Sequence, residues 1–221
     1  LEYGSLMHFI MENILSNHSM NEISGLNDEY LSEKIKQILE NYIQIKMGGW
    51  EGKTYRFRYL FYRLIDTACI LIKHMSKEFS QSNFIPSDYE LDISDYGDIQ
   101  PLSVKLPNGN VIEVQGKVDR VDVMKKDNIN YIRIIDYKTG SKEFRLSDVI
   151  YGLNMQMLIY LAAICKNGSH KYGDIVPAGI LYMPVTKPIV NDERGIEDFD
   201  LDKKKKRKLR MNGLILDDDD V

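Results

Sequence analysis

The sequence predicts an α/β fold, a mixed β-sheet flanked by helices, with a helical segment at its N-terminal end. Three observations carry this prediction. Residues 1–80 repeat apolar side chains at helical spacing. Near Ser82 the period shortens to that of strands. A further helical stripe after Ser147 then leads into one more apolar strand, "AGILYMPV" at 178–185.

Each element has its own signal. In 6–15, Leu6, Phe9, Ile10 and Ile14 recur on one helical face. "SGLNDEYLSEKIKQILENYIQIK" offers Asn27 or Ser24 as a cap, followed by Leu31, Ile35, Ile38, Tyr42 and Ile45. After the Gly48-Gly49 break, residues 54–79 form a long candidate helix without Gly or Pro. "FIPSDYELDIS" (84–94) alternates in its second half and reads as a strand holding Glu90. Residues 102–140 read as three strands, with turns at Pro107-Asn108-Gly109-Asn110 and at Asp127-Asn128. Ser147 caps a helix predicted over 148–165, with Val149, Leu153, Gln156, Met157 and Tyr160 near one stripe and Gly168 beyond its end. The run "KKKKRK" (203–208) suits phosphate contacts, and reads more readily as a solvated helix face because acids flank it. The four aspartates at 217–220 read as a frayed end, since adjacent carboxylates do not point at one centre. The expectation is one domain: a helical part (1–80), a sheet-and-helix core (81–190) and a charged tail (191–221).

Composition narrows the classes. With 221 residues, 43% of them hydrophobic and 28% charged, the chain is long enough to bury a core. A net charge of −4 gives no global pull on nucleic acid, so an anionic ligand needs local positive charge or a metal. No apolar run is long enough to span a membrane, and "LEYGSLMHFIMENI" has neither a basic stretch nor a cleavage-like site. A cytoplasmic location is expected. Helical pattern almost from the first residue suggests a piece of something longer. Cys69 and Cys165 lie far apart inside helical patterns and read as buried thiols, not as a disulfide or metal pair.

The chemistry concentrates in two segments. In "RIIDYKTG" (133–140), Asp136 and Lys138 share a strand face with Ile132 and Ile134, so an apolar face turns charged at its end. "GKVDRVD" (116–122) holds Asp119. If 120–125 pairs with 131–136, both aspartates lie towards the same end of the sheet. Converging carboxylates repel unless a cation lies between them, and oxygen ligands suit Mg²⁺ or Mn²⁺. Lys138 beside them is placed to hold or help deprotonate a water and to offset charge on a phosphate. The same residues also suit plain ion pairs, Lys138 with Asp136 and Asp119 with Arg120 or Lys117.

Together with a helix carrying "QMLIY" (156–160), and with Gly4, His8 and Glu12 spaced four apart near the start, these segments resemble the PD-(D/E)XK nuclease superfamily, and within it the RecB-like branch. The pieces stand in the family's order: G-x-x-x-H-x-x-x-E, G-x-x-D-R-x-D, D-Y-K-[TS]-G and Q-x-x-x-Y. The resemblance implies a restriction-endonuclease-like sheet and a metal-dependent exodeoxyribonuclease. It makes Asp119 and Asp136 metal ligands, with the Tyr137 backbone carbonyl as a third and His8 completing the shell. Lys138 becomes the catalytic base or water-orienting group. Gln156 and Tyr160 border the cleft and touch DNA or the lysine, and Glu90 supports the site.

"YIRIIDYKTGSKEFRLSDVIYGLNMQMLIYLAAI" and "MNGLILDDDDV" are most similar to the AddB type of helicase–nuclease subunit. That type implies double-strand break repair by homologous recombination, a single-stranded DNA substrate and an AddA-type partner. It also carries an iron–sulfur cluster on four cysteines. No such set stands here, so a cluster is expected only in a longer chain. Two other readings share the motifs: a standalone exonuclease of the same branch, of the phage-recombination or CRISPR-adaptation kind, and an inactive nuclease fold kept as a binding scaffold.

Overall fold

A computed structural model describes residues 2–18, 20–140, 144–188, 198–218 and 221. The acidic stretch 191–197 and residues 219 and 220 of the aspartate run lie outside them. The chain divides into two units: Leu1–Gln81 with Lys138–Ser141 and Pro184–Arg210, and Ser82–Tyr137 with Lys142–Met183 and Met211–Val221.

The first unit is helical. It holds α1 (Glu2–Asn17), α2 (Met20–Gly25), α3 (Asp28–Lys46), α4 (Tyr55–Phe79) and, later in the chain, α8 (Asp198–Leu209). Asn27 starts α3 by accepting the Tyr30 N–H at 2.7 Å, and Thr54 starts α4 by accepting the Phe57 N–H at 3.2 Å. Of the two candidate caps for α3, Asn27 is the one used. Of the stripes read from the sequence, Leu6, Ile10 and Ile14 on α1 and Leu31 and Ile35 on α3 are buried, whereas Phe9, Ile38 and Tyr42 are half-buried and Ile45 is exposed. The buried face of α3 continues instead through Leu39 and Ile43, and α4 buries Phe61, Leu64, Ile65, Ala68, Leu71, Ile72 and Met75. Gly4 of α1 lies against Thr139, since a Cβ there would stand 3.7 Å from the Thr139 methyl.

The second unit is built on a mixed five-stranded sheet in the order β1 (Ile85–Ile93), β4 (Gly116–Lys126), β5 (Ile129–Lys138), β6 (Ile175–Pro184), β7 (Asn212–Ile215), with α5 (Leu146–Ile150), α6 (Gln156–Asn167) and α7 (Ser169–Tyr172) in the connection from β5 to β6. β4 and β5 form an antiparallel hairpin in which Lys126 pairs with Ile129. Asp127 and Asn128 have φ of 52° and 66°, as a two-residue turn with both centres left-handed requires. One core joins Leu91, Val118, Val121, Ile132 and Ile134 of the sheet to Met157, Tyr160, Leu161, Ala163 and Ile164 of α6.

Three local readings change. Residues 102–140 give four strands, not three, because the middle run breaks at Gln115. β2 (Leu102–Lys105) and β3 (Val111–Val114) form a separate two-stranded sheet. The helix expected over 148–165 is interrupted: Gly152 and Asn154 adopt φ of 75° and 55°, and the Asn154 amide donates to Asp148 at 2.9 Å. β7 lies in the stretch read as tail. It pairs along β6, Gly179 with Ile215 and Tyr182 with Asn212, and so covers a strand edge that would otherwise be open.

Candidate active site

Within the second unit, two acids face each other across β1 and β4. Tyr89 pairs with Arg120 and Leu91 with Val118, which sets Glu90 opposite Asp119. Strand alternation fails there. Val118 and Val121 share one core, although strict alternation would put them on opposite faces. Arg120, between them in sequence, turns the other way, onto Asp122 and Tyr137. Glu90 has φ of 50°, uncommon for a residue with a side chain. This slip in the pleat brings carboxylate oxygens of Glu90 and Asp119 within 4.8 Å of each other.

Asp119 also ties β4 to β5. Its Oδ2 accepts the Tyr137 N–H at 2.6 Å, just past the pair Arg120–Ile135 where the backbone register ends. Asp136 and Lys138 follow Ile132 and Ile134 on one face of β5. Both are half-buried, and one carboxylate oxygen of Asp136 is closed off from solvent. The Tyr182 hydroxyl of β6 is harder to ionise than usual, first through burial and then through the negative charge of Asp136. The Lys138 carbonyl accepts the Val185 N–H at 2.9 Å. His8 sits half-buried on α1 of the first unit.

The oxygen donors fit a hard divalent cation. Two carboxylates this close repel, and a Mg²⁺ or Mn²⁺ ion takes such ligands. The structure thus joins Asp119 to Glu90 and to the backbone of Tyr137. It places Asp136 beside Tyr182.

Gln156 and Tyr160 have a structural duty that their spacing alone did not disclose. The Gln156 amide donates to the Tyr160 hydroxyl at 3.0 Å, and that hydroxyl donates to the Gln115 carbonyl at 3.4 Å. Tyr160 is only 4% exposed, so its ring belongs to the core. A Cβ at position 116 would collide with its hydroxyl, which accounts for the glycine that opens "GKVDRVD".

The remaining motif residues lie behind the sheet. Arg120 donates to both Asp122 oxygens, at 2.8 and 3.2 Å, and to the Tyr137 hydroxyl at 3.2 Å. Arg133 donates to Asp122 at 3.0 Å. Arg120 and Asp122 are 1% and 0% exposed. Burial pushes the Tyr137 hydroxyl up to about 12, against the pull of Arg120. Arg120 is therefore committed to Asp122, a partner the sequence reading did not consider. The available signal was the Arg-x-Asp spacing, which puts both side chains on one strand face.

The basic run lies on α8, where Lys203, Lys206 and Arg207 are exposed and, with Lys204, Arg210 and Glu78, line a hollow. The two cysteines are half-buried. Burial, then the charge of Asp66, pushes the Cys69 thiol up to about 11, and burial raises that of Cys165. Among the described residues, no helix is long and apolar enough to cross a membrane.

Comparison with known proteins agrees with the motifs. The model of the PD-(D/E)XK nuclease superfamily matches residues 1–212. The AddB component of the ATP-dependent helicase/deoxyribonuclease of Clostridium kluyveri is 34% identical over 223 residues, covering 100% of this chain and 19% of that protein. The protein of the same name from a Thermoanaerobacter species is 38% identical over 196 residues, 89% of this chain and 17% of its own length. That of Clostridium acetobutylicum is 33% identical over 223 residues, again 100% and 19%. The chain thus spans about a fifth of the length of the curated relatives it matches. With the family's motifs in order and its model matched over nearly every residue, the chain belongs to the PD-(D/E)XK nuclease superfamily.

Proposed function

We propose that this chain is the divalent-metal-dependent exodeoxyribonuclease module of an AddAB-type helicase–nuclease, acting with an AddA-type partner on single-stranded DNA during double-strand break repair. The observation that carries the reading is the apposed pair Glu90–Asp119, set beside the strand that bears Asp136 and Lys138. The helicase/deoxyribonuclease relatives support the assignment to the AddAB type.

Asp119, Asp136 and Glu90 supply the oxygen ligands, with the Tyr137 carbonyl beside them. His8 adds a nitrogen donor, an assignment resting on the Gly4-His8-Glu12 spacing. When bound, the cation neutralises charge developing on the phosphate and makes a bound water more acidic. Lys138 orients the attacking water and takes up or releases its proton. Asp119 is held in place by the Tyr137 N–H, beside Glu90. Gln156 and Tyr160 act at one remove, by holding β4 at Gly116.

The test is Mn²⁺-dependent digestion of labelled single-stranded DNA. Wild type is expected to degrade it, and Asp136→Ala and Lys138→Ala are expected not to. A wild-type protein inert in every divalent metal would leave the scaffold reading in its place.

A further inference from the structure

The N-terminal half of α4 carries a surface that the nuclease site does not use. Tyr55, Tyr59 and Tyr62 are 92%, 61% and 61% exposed. At about 100° per residue, they fall within roughly 60° of one another on the helix, rising about 6 and about 4.5 Å from ring to ring. Arg58 flanks this stripe on one side and Arg56 and Arg63 on the other, all exposed. Arg63 stands over the Tyr59 ring at 5.8 Å, and Arg58 over the Trp50 ring at 5.7 Å. No acid interrupts 55–65, and Asp66 closes the stripe.

The opposite side of the helix carries its core contacts. Phe61, Leu64 and Ile65 are buried, and Trp50 packs edge-on against Phe61 at 4.8 Å. The tyrosines are therefore not spare core residues. A row of three large rings held in water by one rigid helix, with guanidinium groups along both sides, offers two things together. The rings are flat faces for unpaired bases, and the cations meet the phosphates that link them. Duplex DNA presents phosphates but hides its base faces, so the arrangement selects single strands.

We infer that Tyr55, Tyr59 and Tyr62 of α4, flanked by Arg56, Arg58 and Arg63, form a stacking platform for single-stranded DNA. The inference rests on the reading of this chain as a DNA nuclease and adds to it a binding surface outside the metal-ligand set.

The test is the binding of fluorescein-labelled oligothymidylate, by anisotropy, to the purified protein in EDTA, where no cleavage occurs. Each Tyr→Ala change is expected to weaken binding about fivefold or more. Tyr→Phe variants should stay near wild type, and binding to a blunt duplex should not change. Arg58→Gln and Arg63→Gln should each lower the slope of log affinity against log salt by about 0.7, while the tyrosine variants leave it unaltered. Thermal melting confirms that these surface variants fold.

The platform is overturned if the triple Tyr→Ala variant binds oligothymidylate as tightly as wild type. It is equally overturned if duplex binding falls in parallel, or if the triple variant loses only its association with a protein partner. Hydrolysis of bis(p-nitrophenyl) phosphate in Mn²⁺ reads the metal site without the platform. Its absence alongside intact oligothymidylate binding defeats the nuclease reading alone. Its retention alongside binding unaffected by the tyrosines defeats the platform alone.

Discussion

The two faces of the β4–β5 hairpin handle charge in opposite ways. Behind the sheet, Arg120, Asp122, Arg133 and the Tyr137 hydroxyl form a closed set in which cations and anion alternate. Along the other side, Asp119 approaches Glu90, like against like, and Asp136 lies half-buried beside Tyr182. Asp119, Arg120 and Asp122 are near neighbours on β4, and Asp136 and Tyr137 adjoin on β5. A buried charge with its counter-charge is scaffold, because solvation lost on folding is replaced within the protein. Half-buried like charges brought close together are what a candidate cation site needs, because a cation relieves their repulsion.

The sharpest way to break this contrast is to change one acid on each face. Asp119→Asn keeps an acceptor for the Tyr137 N–H and removes repulsion with Glu90. It should lower DNA cleavage by about a thousandfold, the loss of several kcal/mol of charge stabilisation, while the metal-free melting temperature holds or rises. A fall in melting temperature matching the loss of activity would make Asp119 scaffold. On the far face, Asp122→Asn should destabilise by about 3–5 kcal/mol in chemical denaturation, because it leaves Arg120 buried without its counter-charge. If Asp122→Asn melts like wild type, the two faces do not differ as described.

Metal addition sharpens the comparison further. Mn²⁺ at about a hundred times its dissociation constant should stabilise wild type by about 2.7 kcal/mol. It should do so equally for a folded Gln156→Ala variant and far less for Asp119→Asn, with EDTA reversing the shift. Gly116→Ala forces a Cβ into the Tyr160 hydroxyl and should cost about 1–3 kcal/mol. Most of that cost should vanish in a Tyr160→Leu background, and additive effects in the double variant would refute the contact.

The smallest effect is expected at Asp88. Burial raises its pKa, but hydrogen bonds from Lys171, Tyr172 and Ser87 outweigh burial and hold it below the usual carboxylate range. A lowered folded pKa contributes stability above the unfolded value of about 4, and that contribution fades as pH falls through the folded pKa. Asp88→Asn should therefore melt about 1 kcal/mol below wild type at neutral pH, with the gap closing in acid. A gap independent of pH would remove the ionic part of the argument.

Much of the candidate site's geometry was legible because its residues follow local rules. Alternation put Asp136 and Lys138 on the face of Ile132 and Ile134. Turn chemistry put a hairpin at Asp127-Asn128, which brings Asp119 to the Tyr137 backbone. Glu90 was read as a supporting residue, and its direct apposition to Asp119 was not visible. It depends on a left-handed φ at Glu90 and a matching slip in β4, and neither leaves a compositional mark. Arg120 was weighed as a partner for Asp119, since neighbours in sequence are the obvious candidates. The pleat turns it away and gives it Asp122. Tyr160 was read as bordering the cleft and its ring lies in the core, because a helical stripe does not say what lies opposite it.

What the sequence determined by itself is what short-range physics controls: helices where apolar residues recur every three or four positions, a tight hairpin where Asp and Asn accept left-handed backbone, and the family carried by its motifs. Tertiary structure alone decided which acids meet, which arginine is consumed, and that the stretch 212–215 becomes an edge strand on β6. Those outcomes depend on contacts between residues distant in the chain. Their energies arise only once the strands have aligned and water has been excluded between them.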